Sequence, residues 1–327
     1  MKELENKTIL ITGGTGSFGN AFVQKVLSEG NPKKMIIFSR DEMKQWEMQQ
    51  RIPDDRIRFF LGDVRDYRRL KRALDGVDIV IHAAAMKIVP LAEYNPFEYV
   101  KTNIDGAMNL IDACIDKGVE KLIALSTDKA SDPINLYGGT KFVSDKLFCS
   151  ANSYAKDAHC KFSVVRYGNV MGSRGSVIPF FLKEKTSGIL PITDPRMTRF
   201  MITLEQGVEA VLHALDDMVG GEIYVRKIPS MKVTDVALSI DKNAEQKIVG
   251  IRSGEKIHEI MISSNEAAQT YEYCEYYKIL PQFNYWGVNN KMIKDGKPVP
   301  DGFQYSSDKN DAWMSNDELQ EWIRKTY

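Results

Sequence analysis

Four residues in one short stretch of the chain could carry out both an oxidation and an elimination. Asp128 and Lys129 are adjacent, and Tyr137 and Lys141 follow with a spacing of four. On a helix that spacing puts Tyr137 and Lys141 on one face, where an ammonium favours the phenolate of a tyrosine, whose ordinary pKa is about 10. Such a phenolate can deprotonate a sugar hydroxyl. A Tyr-x-x-x-Lys pair also occurs by chance on helix surfaces, so the rest of the chain must supply the context.

The elements around these residues predict a sheet that could position them. Short β-branched runs alternate with stretches of helical period, which indicates an α/β fold with a doubly wound parallel (Rossmann) sheet. Strands are predicted at 8–12, 34–38, 57–61, 79–82, 121–126 and 162–166, and helices at 18–28, 96–117, 204–218 and 316–325. Ligands of such sheets bind at the C-terminal ends of the strands, where the Asp128–Lys129 pair is expected.

The alternation stops after the sixth predicted strand, and this suggests a division of the chain. We expect residues 1–167 to form a dinucleotide-binding domain that includes the catalytic residues. Residues 168–327 are expected to form mainly a smaller substrate-binding region, with some return to the first domain. Residues 281–310 are rich in Pro, Gly, Asn and Lys, which is typical of an irregular extension.

Composition points to a small-molecule partner. The 327 residues contain 44 basic and 44 acidic side chains, so no electrostatic signal for nucleic acid or an anionic membrane surface is present. No apolar run is long enough to span a bilayer, and we expect a cytoplasmic protein. The four cysteines and four histidines lack metal-ligand spacing, so no metal site is predicted.

A glycine-rich segment after the first strand predicts the cofactor. Residues 12–19 read Thr-Gly-Gly-Thr-Gly-Ser-Phe-Gly, which fits Gly-x-Gly-x-x-Gly between a strand and a helix. Glycine permits the tight turn and the close approach of backbone to pyrophosphate, and the helix N-terminus supplies N–H donors. The candidate phosphate-binding residues are Gly13, Thr15, Gly16, Ser17, Phe18 and Gly19.

The end of the second strand distinguishes NADP from NAD. An acidic residue there would bind a ribose hydroxyl, whereas this chain has Ser39 and Arg40, with Lys44 downstream. The basic residues favour the 2′-phosphate of NADP. Asp41 could turn toward the ribose, so NAD stays open as the less favoured cofactor. Further candidate cofactor contacts are Asp63 and Val64 near the adenine, Ala83, Ala84 and Ala85 beside the dinucleotide, Asn103, Tyr137 and Lys141.

Several segments together resemble the extended short-chain dehydrogenase/reductase family. They are residues 12–19, 62–66, 82–87, 126–130, the Tyr-x-x-x-Lys pair and 166–176. Within that family the chain is most similar to the inverting UDP-N-acetylglucosamine 4,6-dehydratases of pseudaminic acid biosynthesis, a route to flagellin glycosylation. That likeness extends through residues 191–194, 221–223, 250–256 and 305–308, and therefore covers nearly the whole chain. It also implies a homo-oligomer, with a hexamer as the suggested size.

The resemblance implies a redox-neutral reaction sequence for the four residues of the opening stretch. Tyr137, supported by Lys141, would deprotonate the C4 hydroxyl as the nicotinamide takes the hydride. Lys129 would then remove the C5 proton, provided that its pKa is depressed. Asp128, if protonated, would donate to the departing C6 hydroxyl. A close pair with Lys129 opposes that protonation, so the identity of the acid stays open.

Lys129 also separates the branches of this family. Retaining dehydratases typically carry Thr-Asp-Glu where this chain has Thr-Asp-Lys, so a lysine favours inversion at C5. A sugar-nucleotide 4-epimerase, a retaining dehydratase and a non-catalytic dinucleotide-sensing regulator are the alternatives. The resemblance further implies a substrate site for UDP-N-acetylglucosamine, whose diphosphate suits arginines. Its candidates are Lys87, Thr127, Tyr137, Asn169, Arg174, Thr193, Arg199, Arg252 and Glu255.

Overall fold

The structure, a computed structural model, describes residues 1–155, 160–173, 175–281 and 290–327. Its strands are β1 (Thr8–Thr12), β2 (Lys34–Ser39), β3 (Ile57–Leu61), β4 (Ile79–His82), β5 (Lys121–Thr127), β6 (Lys161–Tyr167), β7 (Asn169–Val170), β8 (Ile189–Ile192), β9 (Thr198–Ile202), β10 (Ile223–Arg226), β11 (Ser230–Lys232), β12 (Glu245–Ile248), β13 (Ile260–Ile262), β14 (Thr270–Glu272), β15 (Tyr276–Ile279), β16 (Lys297–Pro298) and β17 (Tyr305–Ser306). Its α-helices are α1 (Ser17–Glu29), α2 (Glu42–Arg51), α3 (Tyr67–Ala73), α4 (Val89–Tyr94), α5 (Pro96–Val100), α6 (Gly106–Lys117), α7 (Leu136–Ala151), α8 (Val177–Glu184), α9 (Leu204–Asp217), α10 (Val233–Ile240), α11 (Asn290–Ile293) and α12 (Asn316–Thr326).

The main sheet has the predicted doubly wound order. Its strands run β16-β14-β15-β10-β6-β5-β4-β1-β2-β3. The seven strands from β10 to β3 pair in parallel, and the three at the other edge pair antiparallel. The order reverses at β1, which lies between β4 and β2, and a crevice opens at such a switch point beyond the strand C-termini. The predicted fold class and the six predicted strands are confirmed.

The apolar residues of these parallel strands form the main core. β1 is buried along its whole length, as expected for a strand covered by helices on both faces. Helix α1 packs against α9, while α3 packs against α6 and α6 against α7. The predicted helix at 96–117 is interrupted, because residues Lys101–Asp105 form a π-helical turn between α5 and α6.

A second, smaller apolar cluster lies in the C-terminal half of the chain. It contains Met171, Phe181 and Leu190 and is completed by residues of α10 and α12. Strands β10, β14, β15 and β16, from the same half, join the main sheet. The division at residues 167 and 168 stays a prediction. Of the predicted irregular extension, residues 282–289 lie outside the described residues. No helix in the described part of the chain is long and apolar enough to cross a membrane.

The start of α7 is pressed against the turn that follows β5. Residues Asp128–Ala130 form a 3₁₀ turn, and the side chain of Asn135 caps α7 by accepting a hydrogen bond from Gly138 N at 2.7 Å. A Cβ on Gly138 would lie 2.2 Å from the carbonyl oxygen of Lys129. Only glycine therefore allows α7 to approach the turn this closely.

We predict that Gly138→Ala abolishes activity and lowers the free energy of unfolding by about 1–3 kcal/mol, because the new methyl group must displace backbone. Gly139→Ala is the matched control, since a Cβ on Gly139 meets no atom within 4 Å. Alanine also has the higher helix propensity, so the control should be as stable as the wild type or more stable. Urea denaturation and activity of both variants check this, and equal behaviour of the two would contradict the packing argument.

Candidate active site

The C-terminal end of β5 and the first two turns of α7 bring the four residues of the opening stretch together. Thr127 caps the 3₁₀ turn, and its hydroxyl donates to Asp128 Oδ1 at 3.0 Å. The Tyr137 side chain is buried, and Thr127 acts to lower its pKa. Lys141, one helical turn further along, is also buried. We call this region the β5–α7 corner, and it lies at the edge of the sheet where ligands of this fold bind. It is defined by Thr127, Asp128, Lys129, Tyr137 and Lys141.

Lys129 lies between two buried carboxylates. Its Nζ is 3.1 Å from Asp128 Oδ1 and 2.9 Å from Glu259 Oε1. Asp128 and Glu259 are 1% and 2% exposed, so both anions are removed from solvent. The second oxygens, Asp128 Oδ2 and Glu259 Oε2, are buried without a hydrogen-bond partner in the described chain. Lys129 is therefore the principal counter-charge of this cluster.

The proton affinity of Lys129 differs from the expected one. Burial acts to lower its pKa, but the charges of Asp128 and Glu259 outweigh burial and raise it. The role of Lys129 as a base required a lowered pKa, whereas its surroundings raise the pKa. Burial raises the pKa of Asp128, although Lys129 acts in the opposite direction. The pair can become the required base and acid only if a proton passes from the lysine to the aspartate.

The surroundings of Tyr137 favour its protonated form. Burial raises its pKa to about 12, against smaller lowering effects of Thr127 and Lys129. Lys141 Nζ donates to the carbonyl of Leu125 at 2.8 Å, and burial lowers the pKa of this amine. The predicted stabilisation of the phenolate by Lys141 is therefore not visible here. The charge of Lys129 favours the ionised form of Tyr137.

A buried ionic network supports α7 from beneath. Asp145, one turn beyond Lys141, accepts from Ser126 Oγ at 2.7 Å and lies 3.5 Å from Arg166. Arg166, only 1% exposed, also contacts Glu266 at 3.1 Å. These contacts join β5, β6 and α7 to the 3₁₀ segment Ser264–Gln269. They fix the face of α7 that carries the candidate catalytic residues.

The glycine-rich loop fits a dinucleotide pyrophosphate. Gly13 has φ of +66°, and a Cβ there would lie 2.9 Å from the backbone of Ala84. A Cβ on Gly19 would lie 2.3 Å from the Gly14 carbonyl, which locks helix against loop. Gly16 is the N-cap of α1, and neither a side-chain cap nor an acidic residue occupies the first turn. The N–H groups of that turn are therefore free to bind an anion.

The residues expected to distinguish NADP from NAD differ in how accessible they are to a cofactor. Asp41 caps α2 by accepting from Lys44 N at 3.1 Å, and its carboxylate pairs with Lys44 Nζ at 2.5 Å. Asp41 and Lys44, both predicted to contact the cofactor, thus bind each other. Arg40 is 56% exposed and has only a 3.5 Å contact with Asp63. Ser39 is buried and accepts from Gln45. Arg40 is consequently the residue of this group most available to a 2′-phosphate.

Other predicted cofactor residues serve the packing of the crevice. Asp63 binds Arg65 through its carboxylate, at 2.7 Å. Ala84 N donates to Thr12 Oγ1 at 3.2 Å, so the alanine segment, Ala83 to Ala85, runs beside the glycine-rich loop. Asn103 is buried and bonds to both backbone groups of Met86 and to Thr140. It thereby connects that segment to α7.

The predicted substrate-binding residues differ in their exposure. Arg199 is 12% exposed and donates to three backbone carbonyl groups, and its Nε lies 3.8 Å from Glu259. This places Arg199 in the buried cluster and not on an open surface. Arg252 is 59% exposed and lies 3.9 Å from Glu255. Lys87 is exposed, Asn169 and Thr193 are half-buried, and Arg174 lies outside the described residues.

A surface cavity of about 480 Å³ adjoins this side of the site. Its lining includes Asp132, Glu255, Lys256 and His258. Lys256 Nζ also donates to the carbonyl of Ser131 at 2.8 Å, immediately after the turn that carries Lys129. A larger cavity of about 590 Å³ lies between α1 and α9, away from the β5–α7 corner, and contains none of the predicted site residues.

Two buried carboxylates of the site were not predicted from sequence. Asp145 had a usable signal, because Tyr137, Lys141 and Asp145 recur every four residues and so share a helix face. The sequence gives no signal that pairs Glu259 with Lys129, since the two residues are 130 positions apart along the chain. Their contact arises from the packing of β13 against the turn after β5.

Comparisons with known proteins agree with this geometry. The family model described as polysaccharide biosynthesis protein matches residues 9–281. The chain is 55% identical to the UDP-N-acetylglucosamine 4,6-dehydratase (inverting) of Campylobacter jejuni serotype O:2, over 98% of both chains. It resembles the structure of Pen from Bacillus thuringiensis at 35% identity, with a TM-score of 0.89 over 98% of both chains. The dTDP-glucose 4,6-dehydratase DesIV of Streptomyces venezuelae, solved with NAD, shares the fold at 21% identity and a TM-score of 0.70, covering 98% of this chain and 97% of that one.

We predict that Arg166→Met destabilises the protein by about 3–5 kcal/mol, because it leaves Asp145 and Glu266 buried without their cation. Arg196→Met is the matched control, since Arg196 pairs with Asp194 at 2.8 Å but is 67% exposed. Solvent screens that pair, so little change is expected. Chemical denaturation measures both variants, and equal losses would contradict the importance of the buried network.

Proposed function

The chain belongs to the polysaccharide biosynthesis protein family, and from this membership we propose that it is an inverting UDP-N-acetylglucosamine 4,6-dehydratase. The product would be UDP-2-acetamido-2,6-dideoxy-β-L-arabino-hexos-4-ulose, in the first step toward pseudaminic acid. The reaction is the loss of one water, which makes the enzyme a hydro-lyase.

One observation carries this proposal beyond family membership. Asp128, Lys129 and Tyr137 share a single buried corner, with the aspartate and lysine in direct contact at 3.1 Å. Besides a hydride acceptor, oxidation at C4 needs one base for the hydroxyl, and Tyr137 supplies it. The additional acid and amine are the groups required to remove a C5 proton and release the C6 hydroxyl.

The first step uses α7. Tyr137 takes the proton of the C4 hydroxyl, and the positive charge of Lys141 and Lys129 stabilises the phenolate that accepts it. A nicotinamide dinucleotide, when bound, would supply the redox chemistry at C4 and C6. The glycine-rich loop and the first turn of α1 would hold its pyrophosphate. The resulting C4 ketone acidifies the neighbouring C5 proton.

The elimination uses the Asp128–Lys129 pair. Transfer of one proton from Lys129 to Asp128 turns the ion pair into a neutral amine and a carboxylic acid, with no net change in protonation. Lys129 then takes the proton from C5, and the proton on Asp128 goes to the leaving C6 oxygen, so that one water departs. The burial of Asp128 and the partial burial of Lys129 lower the cost of this neutral form, because it avoids separated charges in a poorly solvated site.

Inversion requires a proton donor when C5 is reprotonated on its other face. Because Lys129 removes the proton from the first face, the proton that C5 gains on the other face must come from a different donor. Lys129 itself occupies the position where retaining relatives typically carry a glutamate. Arg252 and Glu255 are proposed to bind the diphosphate and a ribose hydroxyl, respectively. Glu255 lines the adjoining cavity, and Arg252 lies 3.9 Å from Glu255. Both side chains are accessible, as a substrate site requires.

NADP is the proposed cofactor, and Arg40 is the residue that favours it. We also propose that the chain works as a homo-oligomer, with a hexamer as the expected size. Leu91, Tyr94 and Phe97 on α4 and α5 support association, because these apolar side chains are 47%, 86% and 76% exposed.

Product mass tests the proposed function directly. Incubation with UDP-N-acetylglucosamine and NADP should yield a nucleotide sugar lighter by one water. An unchanged mass with a galacto-configured product would instead identify a 4-epimerase. The complete lack of turnover by a protein that binds dinucleotide would identify a non-catalytic sensor.

We predict that Lys129→Ala retains dinucleotide binding and loses dehydration by at least about a hundredfold, the usual contribution of a positioned base. C4 oxidation should persist at a lower rate, because Tyr137 and Lys141 are untouched while the charge of Lys129 that favours the phenolate is lost. Mass spectrometry of the product and fluorescence of the reduced cofactor measure the two steps separately. Full dehydratase activity in this variant would remove Lys129 as the base.

We predict that Arg40→Ala weakens NADP binding about tenfold or more and leaves NAD binding unchanged, because a charge-assisted hydrogen bond to the 2′-phosphate is lost. Arg68→Ala, a change at an exposed arginine of α3, serves as the control. Titration of each cofactor against the fluorescence of the protein gives the affinities. A parallel loss for NADP and NAD would contradict the assignment.

A further inference from the structure

Glu259 touches the candidate catalytic lysine and has no role in the steps described above. Resting on the proposed function, we infer that Glu259 is a positioning residue that keeps the one proton shared by Asp128 and Lys129 from being lost to solvent. The pair works only while it carries that proton. Without it there is no acid for the C6 hydroxyl, and with a second proton there is no free amine for C5.

The contact that carries this inference is short and buried. Glu259 Oε1 lies 2.9 Å from Lys129 Nζ, closer than the 3.1 Å of Asp128 Oδ1. Glu259 is 2% exposed, so water screens its charge poorly. If the pair lost its proton, a second negative charge would form beside the carboxylate of Glu259. Electrostatic repulsion therefore opposes that loss.

The backbone of Glu259 is fixed in place. Its N–H donates to Ser307 Oγ at 2.9 Å, and its carbonyl accepts from Ser307 N at 2.8 Å. Ser307 Oγ is in turn 2.6 Å from Thr198 Oγ1. These bonds fix the backbone position from which the carboxylate of Glu259 faces Lys129.

Other charges keep Glu259 ionised. Arg199 Nε lies 3.8 Å from Oε1, and the Arg199 guanidinium is held by the carbonyls of Thr198, Lys256 and Ile257. Lys256 also acts on Glu259 through its charge.

The charged and titratable groups around Lys129 come from four segments. They are Asp128 on the turn, Tyr137 on α7, Arg199 on β9, and Lys256 and Glu259 before β13. Burial acts to raise the pKa of Glu259, but Lys129 and Arg199 outweigh burial and lower it. Arg199 and Lys256 continue to lower the pKa of Glu259 when the shared proton lies on Asp128.

The test is the pH profile of dehydration by Glu259→Gln. The wild type should give a bell-shaped kcat profile, whose acidic limb reports a second proton on the pair and whose basic limb reports loss of the shared one. Glutamine keeps the size and can accept from Nζ but has no charge. Both limbs should therefore move to lower pH, on the order of one to three units, as for removal of a neighbouring charge. A merely structural role would change the rate and leave the limbs in place, which would overturn the inference.

Glu259→Asp is the companion variant, and it decides the matter if the glutamine variant does not fold. It retains the anion on a shorter side chain, so the bell should stay within about half a pH unit of the wild type while kcat falls. A bell that moves although the charge is kept would overturn the inference. Wild-type protein that forms no dehydrated product contradicts the proposed function, and this inference with it. An active wild type with an unmoved bell in Glu259→Gln contradicts the inference alone.

Discussion

A partly buried ammonium between two buried carboxylates is the interaction on which the site depends. Lys129 contacts Asp128 and Glu259 at 3.1 and 2.9 Å, and removing the cation would leave two anions in a region almost closed to water. The same contacts oppose the use of Lys129 as a base, since they hold it protonated. A proton transfer inside the pair resolves this conflict, because it produces the amine and the acid together without creating a net charge.

The fold supplies the three parts of this cluster from distant parts of the chain. The end of β5 carries Asp128 and Lys129, α7 presents Tyr137, and the segment before β13 brings Glu259. The approach of α7 depends on the missing side chain of Gly138, and its inner face is held by Asp145 and Arg166. The glycine-rich loop lies beside the alanine segment at the switch point of the same sheet. The candidate cofactor loop and the proposed elimination pair therefore lie at the same edge of the sheet.

Much of this arrangement could be predicted from the sequence, because it follows from local patterns. The strands through β6 are short runs rich in apolar residues, and Tyr137 and Lys141 repeat with helical spacing. The electrostatics could not be predicted in the same way. The pKa of Lys129 depends on Glu259, which only the tertiary fold brings near, and its direction came out opposite to the one the base role requires. The pairing of Asp41 with Lys44 was likewise a local alternative to cofactor binding that the residue types alone did not distinguish.

The central claim is that Lys129 and Asp128 exchange protons with C5 and C6 of a nucleotide sugar and invert C5. Proton NMR of the product formed from UDP-N-acetylglucosamine in D2O tests it most directly. The account predicts a 6-deoxy-4-keto sugar with deuterium at C5 and the L-arabino configuration, read from the ring coupling constants. A product that retains the original C5 configuration, or that carries no deuterium at C5, would contradict it.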